Sequence, residues 1–246
     1  MNSTIESLLN HRSIRKYDPE MFEQSQLDFI IKSAQAAPNS INGQQISIIV
    51  VTDKAKKEKV AELAGGQAWI AEAPVFLLFV MDYHRAKLAA EKNGETLVIT
   101  ESLESIMVGS VDVGIAMGTA VAAAESMGLG TVAIGGIRKS PDEMIELFGL
   151  PEFVYPVAGL VIGRSMEISN QKPRIPEALF RHENHYNPDQ LELLNEYDQQ
   201  VSDYMKVRTG GESDRNWSQS VAGTYKFVYF PKVYPSIRKQ GFRNDK

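Results

Sequence analysis

The stretch SMGLGTVAIGGIRKSPDE, residues 126–143, decides how the chain is read. Its Gly128-Leu129-Gly130 invites comparison with a dinucleotide-binding fingerprint, but that fingerprint follows a strand and opens a helix. Here the order is reversed. Upstream, Ser102 to Met127 reads as one long helix, apolar nearly all round, so the glycines stop a helix and open a strand, Thr131 to Ile134. That strand ends at Gly135-Gly136. Ser140-Pro141-Asp142-Glu143 then starts another helix, with a capping serine, a proline at the first helical position and acidic residues in the first turn. Gly149 ends it.

Working outward, Ser3 and Glu6 are spaced as a capping box for a first helix running to about Asn10. Asp18-Pro19 marks a turn. Ser25 with Asp28 opens a second helix whose Leu27, Ile30, Ile31 and Ala34 share a face, and Pro38 closes it. A strand, Ile46 to Thr52, and a helix, Asp53 to Ala64, follow. Val75 to Met81 is a continuous apolar strand of the kind buried on both faces. His84 to Ile99 reads as a polar surface excursion, helical in part. Pro156 to Ile162 is the last strand, and a helix from Asp189 to Tyr204 leads into an aromatic, basic tail. Few strands and two long helices point to an α+β fold, a small mixed central sheet flanked by helices. The long helix, with Gly109, Gly114 and Gly118 open to another backbone, is expected to be buried at the centre.

The chain has 246 residues, a net charge of −5 and no cysteine. The last fact excludes disulfides, thiolate metal sites, Fe–S clusters and cysteine nucleophiles. The N-terminus lacks the apolar run of a signal peptide, and no stretch reads as a membrane span, so a cytoplasmic location is expected. There is no GxSxG elbow, Walker A loop or HExxH spacing. His182-Glu183-Asn184-His185 reads as a surface loop rather than a metal site. Charge is uneven: residues 205–246 hold nine Lys and Arg against three Asp and Glu, a net +6 that leaves −11 on the rest. An acidic body argues against nucleic acid as a partner.

Two short basic segments stand out. In His11-Arg12-Ser13-Ile14-Arg15-Lys16, cations crowd a single apolar anchor; they repel one another unless an anion or water sits among them. Lys172-Pro173-Arg174 sets two cations on a stiff backbone, suitable for phosphate. Gly65-Gly66-Gln67 and Ile134-Gly135-Gly136 are places where backbone can approach a flat ligand, with an amide to meet a heterocycle edge. Each of these also has a plain reading, as a solvated helix end, a helix stop or a strand end.

Taken together and in order, HRSIRKY at 11–17, AAPNSINGQQ at 36–45, GGQ at 65–67, GLGTVAIGGIR at 128–138 and KPRIPEAL at 172–179 resemble the nitroreductase family of FMN-dependent enzymes. The match is nearest to its NADPH-dependent, oxygen-insensitive nitroreductases and flavin reductases. The resemblance covers nearly the whole chain. It implies an intertwined homodimer with FMN at the interface, a core of about residues 1–170, and a C-terminal excursion of about 171–246 that packs on the partner and forms part of the dinucleotide site. It places His11, Arg12 and Ser13 by the ribityl phosphate, with Lys172 and Arg174 as its clamp. It sets Arg15 beside the flavin's N1 and O2, Gln67 at the pyrimidine edge, Ser40 near the other subunit's flavin, and Ile134, Gly135 and Gly136 against N5 and O4.

The activity implied is ping-pong hydride transfer from NADPH through FMN to nitroaromatic, quinone or flavin acceptors, without a catalytic side chain or metal. Arg208 and Arg215 match positions that grip NADPH, although Glu212 and Asp214 between them oppose a 2′-phosphate. The rival readings are a dedicated flavin reductase that supplies reduced FMN to a partner, and a flavin-storage protein without turnover.

Overall fold

The computed structural model describes residues 2–243 and 245. The chain divides into two units, Met1–Ser169 with Phe230–Lys246, and Asn170–Tyr229. The first unit begins with helices α1 (Ser3–Leu9) and α2 (Gln24–Gln35), strand β1 (Ile46–Val51), helices α3 (Lys54–Leu63) and α4 (Trp69–Glu72), and strand β2 (Val75–Asp82). It continues through α5 (His84–Lys92), α6 (Leu103–Ser126), β3 (Gly130–Ile134), α7 (Pro141–Phe148) and β4 (Val154–Gly163). The second unit holds α8 (Glu177–Phe180), α9 (Leu191–Arg208) and α10 (Trp217–Tyr225), and the chain returns to the first with α11 (Val233–Lys239).

The strands form one sheet in the order β1-β2-β4-β3, and every pairing among them is antiparallel. The sheet's parallel element is a single bridge from Ser13 to Thr131. All eight residues of β2 are buried. Because side chains alternate along a strand, Val75, Leu77, Phe79 and Met81 enter a cluster with residues of α2 and α6, while Phe76, Leu78 and Val80 enter another with Val60, Ile70 and Met144. Helices on both faces therefore bury an antiparallel strand as fully as a parallel one. Beside β2, the register of β4 slips between Ala158 and Pro156, leaving Val157 unpaired. A proline is tolerated at such a bulge, where its missing N–H breaks no ladder bond.

Helix α6 differs from expectation. Only Ser105, Gly109, Asp112, Val113, Ala116, Ala120 and Ala124 are buried, and they form the face turned to the sheet. Leu103, Met107, Val111 and Ile115, spaced by four, are 54%, 56%, 58% and 38% exposed. A Cβ at Gly109 would meet Met81 at 3.0 Å, whereas Gly114 and Gly118 have nothing within 4 Å. The helix is long and apolar enough to cross a membrane by length and composition, but its inner face is a core face. It covers the sheet on one side and leaves an apolar stripe on the other.

Caps also differ in detail. Asn2, not Ser3, caps α1 by accepting from the Ile5 N–H at 3.0 Å. Glu23 precedes α2 without a side-chain cap bond, and Ser140 makes none at α7. Gly128 and Gly149 adopt φ of 78° and 59°, the left-handed turns that end α6 and α7.

The second unit ends at Tyr229, and the chain rejoins the first unit at Phe230. Ile237 and Phe242 are buried there, with the Phe242 ring edge-on to Tyr83 at 5.9 Å. Gln240 donates to the carbonyls of Leu150 at 3.1 Å and Pro151 at 2.6 Å, and Lys239 pairs with Asp142 at 2.6 Å. Within the second unit, Trp217 lies 6.0 Å from Tyr197, and Asp198 accepts from the Ser218 N–H at 2.8 Å, joining α10 to α9.

Candidate functional site

The basic segment is held against the sheet edge by its backbone. Ile14 N donates to Thr131 O at 2.9 Å, Met166 N to Lys16 O at 2.9 Å, and Asp18 N to Arg164 O at 3.0 Å. Buried Ile14 and Tyr17 anchor it, and the Tyr17 hydroxyl donates to Ile14 O at 2.6 Å. Burial pushes that phenol's pKa far up, so it stays a neutral donor. With its apolar residues inward, the segment leaves its cations on the outer side.

Glu125, in the last turn of α6, orients His11: it meets Nδ1 at 2.7 Å and accepts from Thr131 Oγ1 at 2.7 Å. Arg12 donates to Asn10 O at 3.2 Å and has no carboxylate partner among the described residues. A cleft of about 420 Å³ opens here, lined by Arg12, Ile14, Glu125, Gly130, Ser165 and Ser169 among others.

Further along, the Arg15 guanidinium lies 5.6 Å from the centre of the Trp69 ring, and the Arg15 backbone N–H donates to Glu167 Oε1 at 2.5 Å. Trp69 follows Gln67 by two residues, and its indole N–H is buried with no partner among the described residues. Gln67 donates to Ala64 O at 2.9 Å; a Cβ on Gly136 would strike both, so only glycine fits there. Arg138 bonds the unpaired Val157 carbonyl at 2.6 Å, with a guanidinium nitrogen 3.3 Å from where a Cβ on Gly135 would stand.

Strand β3 orders these groups. Ser13 bridges to Thr131, and Gly135 follows four residues later, about 13 Å along an extended strand. Cations and a hydroxyl thus stand at one end, and a close-approach backbone, an amide and an indole at the other. Such a line suits an elongated ligand with an anionic end and a flat polar ring, and FMN has that form.

The structure brings together His11, Arg12 and Ser13, and sets Arg15, Gln67, Ile134, Gly135 and Gly136 along the same edge. It does not bring Ser40 there. Ser40 donates its N–H to Asp112, which lies thirteen residues, about 20 Å, up α6 from Glu125. Lys172, Arg174, Arg208 and Arg215 belong to the second unit. There the Tyr197 hydroxyl donates to Pro173 O at 3.0 Å, tying the KPR segment to α9, and the Arg174 charge opposes the upward push of burial on that phenol. Arg208 reaches the Tyr204 hydroxyl at 3.3 Å, and Arg215 reaches Gln219 O at 3.2 Å. His182 lies against Tyr186, ring centres 4.6 Å apart, and receives the Asn187 N–H.

Sequence reasoning missed Trp69, Glu125 and Glu167. Glu125 carried a signal: a lone carboxylate in the last turn of an apolar helix, where the macrodipole disfavours it unless a cation is near.

The family description "Nitroreductase family" matches residues 8–164, and "Nitroreductase family, C-terminal domain" matches residues 172–245. A Bacillus subtilis (strain 168) protein named FMN reductase [NAD(P)H] is 52% identical, with 100% of each chain covered. The solved structure of B. megaterium NfrA2 superposes with a TM-score of 0.98 at 53% identity, again over 100% of both chains. That of the NADPH:FMN oxidoreductase from Vibrio harveyi, complexed with NAD+, gives 0.88 at 36% identity over 98% of this chain and 99% of that one. Two matched segments spanning nearly the whole length, and a relative identical at half its positions, make this chain a member of the nitroreductase family.

Proposed function

We infer that the chain is an FMN-dependent NAD(P)H oxidoreductase that works as a cytoplasmic homodimer and passes reducing equivalents to nitroaromatic, quinone or flavin acceptors. The observation that carries this reading is the line of groups along β3, in a chain of this family. FMN held along this line would supply the hydride-transfer chemistry between NAD(P)H and the acceptor.

The protein's part is to hold and orient. Arg12 and Ser13, with His11 fixed by Glu125, bind the phosphate end. Arg15, its guanidinium near Trp69 and its backbone N–H bonded to Glu167, would put a positive charge where reduction leaves a negative one. Gln67 meets the pyrimidine edge, and Ile134 to Gly136 offer backbone without side-chain obstruction. Lys172 and Arg174 are assigned to the phosphate, and Arg208 and Arg215 to NADPH, on the family pattern. Glu212 and Asp214, beside those arginines, temper a preference for the 2′-phosphate. Arg208→Ala is expected to raise KM for NADPH severalfold and leave bound FMN intact; steady-state kinetics with NADPH and NADH check this.

The bare stripe of α6, apolar with two open glycines, is the surface a second copy covers. Ser40, placed far from the other site residues of its own chain, then serves the partner's site. The relatives' names favour flavin among the acceptors.

The test is the visible absorption spectrum of purified protein, anaerobic, before and after one equivalent of NADPH. Immediate bleaching of a bound-flavin band is expected. A band that persists would leave a flavin-binding protein without this activity, and no band after incubation with FMN would refute the site.

A further inference from the structure

The loop 39–45 is strained and firmly held. Ile41, Asn42 and Gln44 all have φ between 50° and 55°, the left-handed region that costs a non-glycine residue about 1–2 kcal/mol and a β-branched one more. Burial of Ile41 does not repay this, since it is 95% exposed. Such a conformation persists only where the surroundings over-determine it.

The surroundings here centre on one carboxylate. Asp112, 3% exposed on α6, accepts the Ser40 N–H at 3.2 Å on both oxygens and the Gln45 amide at 2.5 Å on Oδ2. It therefore grips both ends of the loop. Asn39 Oδ1 receives the Gln44 N–H at 2.9 Å, and Arg85 donates to Gln44 O at 2.5 Å, closing the middle. A buried carboxylate is costly unless it is fully bonded, and this one is spent on two loop ends rather than on an ion pair. Asp112 also adjoins Val111 of the bare α6 stripe.

We propose that Asp112 is a positioning residue that acts in trans: it holds the strained loop 39–45 so that Ser40 and Ile41 reach the flavin site of the second copy. This rests on the reading of a shared FMN site given above. Interface and loop are then set by the same helix, so a chain without its partner has an incomplete site.

The experiment uses mixed dimers with a different tag on each chain, in which Arg15→Glu disables one chain's own FMN site. In the trans arrangement, Asp112→Ala and Arg15→Glu are on different chains, so the remaining flavin faces an intact loop. In the cis arrangement both are on one chain, and the remaining flavin faces the relaxed loop. The trans dimer is expected to keep about half the unaltered activity; the cis dimer should fall further in kcat/KM for the acceptor, by up to about a hundredfold, the order of loss for misplacement by about 1 Å. Asp112→Asn, which can still accept the Ser40 N–H while Gln45 flips, should stay within about threefold. If Asp112→Ala folds poorly, Gln45→Leu replaces it, releasing the other loop end. Equal activity in both arrangements, with FMN at half loading, overturns this inference alone. Absence of a dimer, or of FMN in the unaltered protein, overturns the functional reading and this inference with it.

Discussion

Strand β2 and helix α6 are two long apolar stretches of the chain, and their surroundings differ. β2 lies inside the sheet with helices of its own chain on both faces, and each of its eight residues is buried. α6 lies outside the sheet, so the chain covers only one of its faces; Leu103, Met107, Val111 and Ile115 stay on the surface. An apolar pattern thus says what must leave water, not which molecule removes it. In β2 the debt is settled within the fold. In α6 it is left open, and the second copy proposed above would cover it.

Phe76→Ala is the largest way to break this contrast. Its ring is fully buried, and a Cβ on Gly159 would stand 2.5 Å from it. A loss of about 3–5 kcal/mol is expected in denaturant titration; a loss below about 1 kcal/mol would mean that β2 is not the closed centre described.

Two glycines of α6 sharpen it. Gly109→Ala pushes a methyl against Met81 and Tyr83 and should cost about 1–3 kcal/mol by overpacking. Gly114→Ala meets nothing within its own chain. If that face were solvent-exposed it would gain up to about 1 kcal/mol from helix propensity; packed on a second copy, it should instead weaken the dimer. The dimer dissociation constants of the two variants distinguish these outcomes.

The smallest effect concerns the returning C-terminus. Bonding to Lys239 holds the Asp142 carboxyl below its usual value. Asp142 therefore binds protons less readily in the folded state than in the unfolded. The stability it contributes is complete above the unfolded pKa, near 3.8, and is lost as pH falls through the lower folded value. The pair is largely exposed, so the effect should stay within about 1 kcal/mol and shrink with salt. Lys239→Met should flatten the acid limb of the stability curve; an unchanged limb would contradict this.

The order of elements was legible because its signals are local: periodicity over 24–35, the unbroken apolar run of β2, and glycines where helices stop. Strand direction was not, since pairing is settled by segments far apart in sequence. The same limit hid the outer face of α6, because an all-apolar helix does not show which side its own sheet will cover. Helix starts shifted where Asn2, one residue earlier, competed with Ser3 as a cap. At the site, the cation run 11–16 and the Gly-Gly-Gln were readable as ligand chemistry. Their orienting partners were not: Glu125 lies 114 residues from His11, and Glu167 lies 152 from Arg15. The strained loop was visible only as Asn-Ser-Ile-Asn-Gly, a turn-prone run, and its buried anchor looked like an isolated charge in a helix.

The central claim is that the fold is completed by a second copy covering α6. Sedimentation equilibrium of the FMN-loaded protein at micromolar concentration tests it most directly. The account predicts a single species of twice the chain mass, converted to folded monomer by Val111→Lys with Ile115→Lys. A stable, FMN-loaded monomer in the unaltered protein would contradict it.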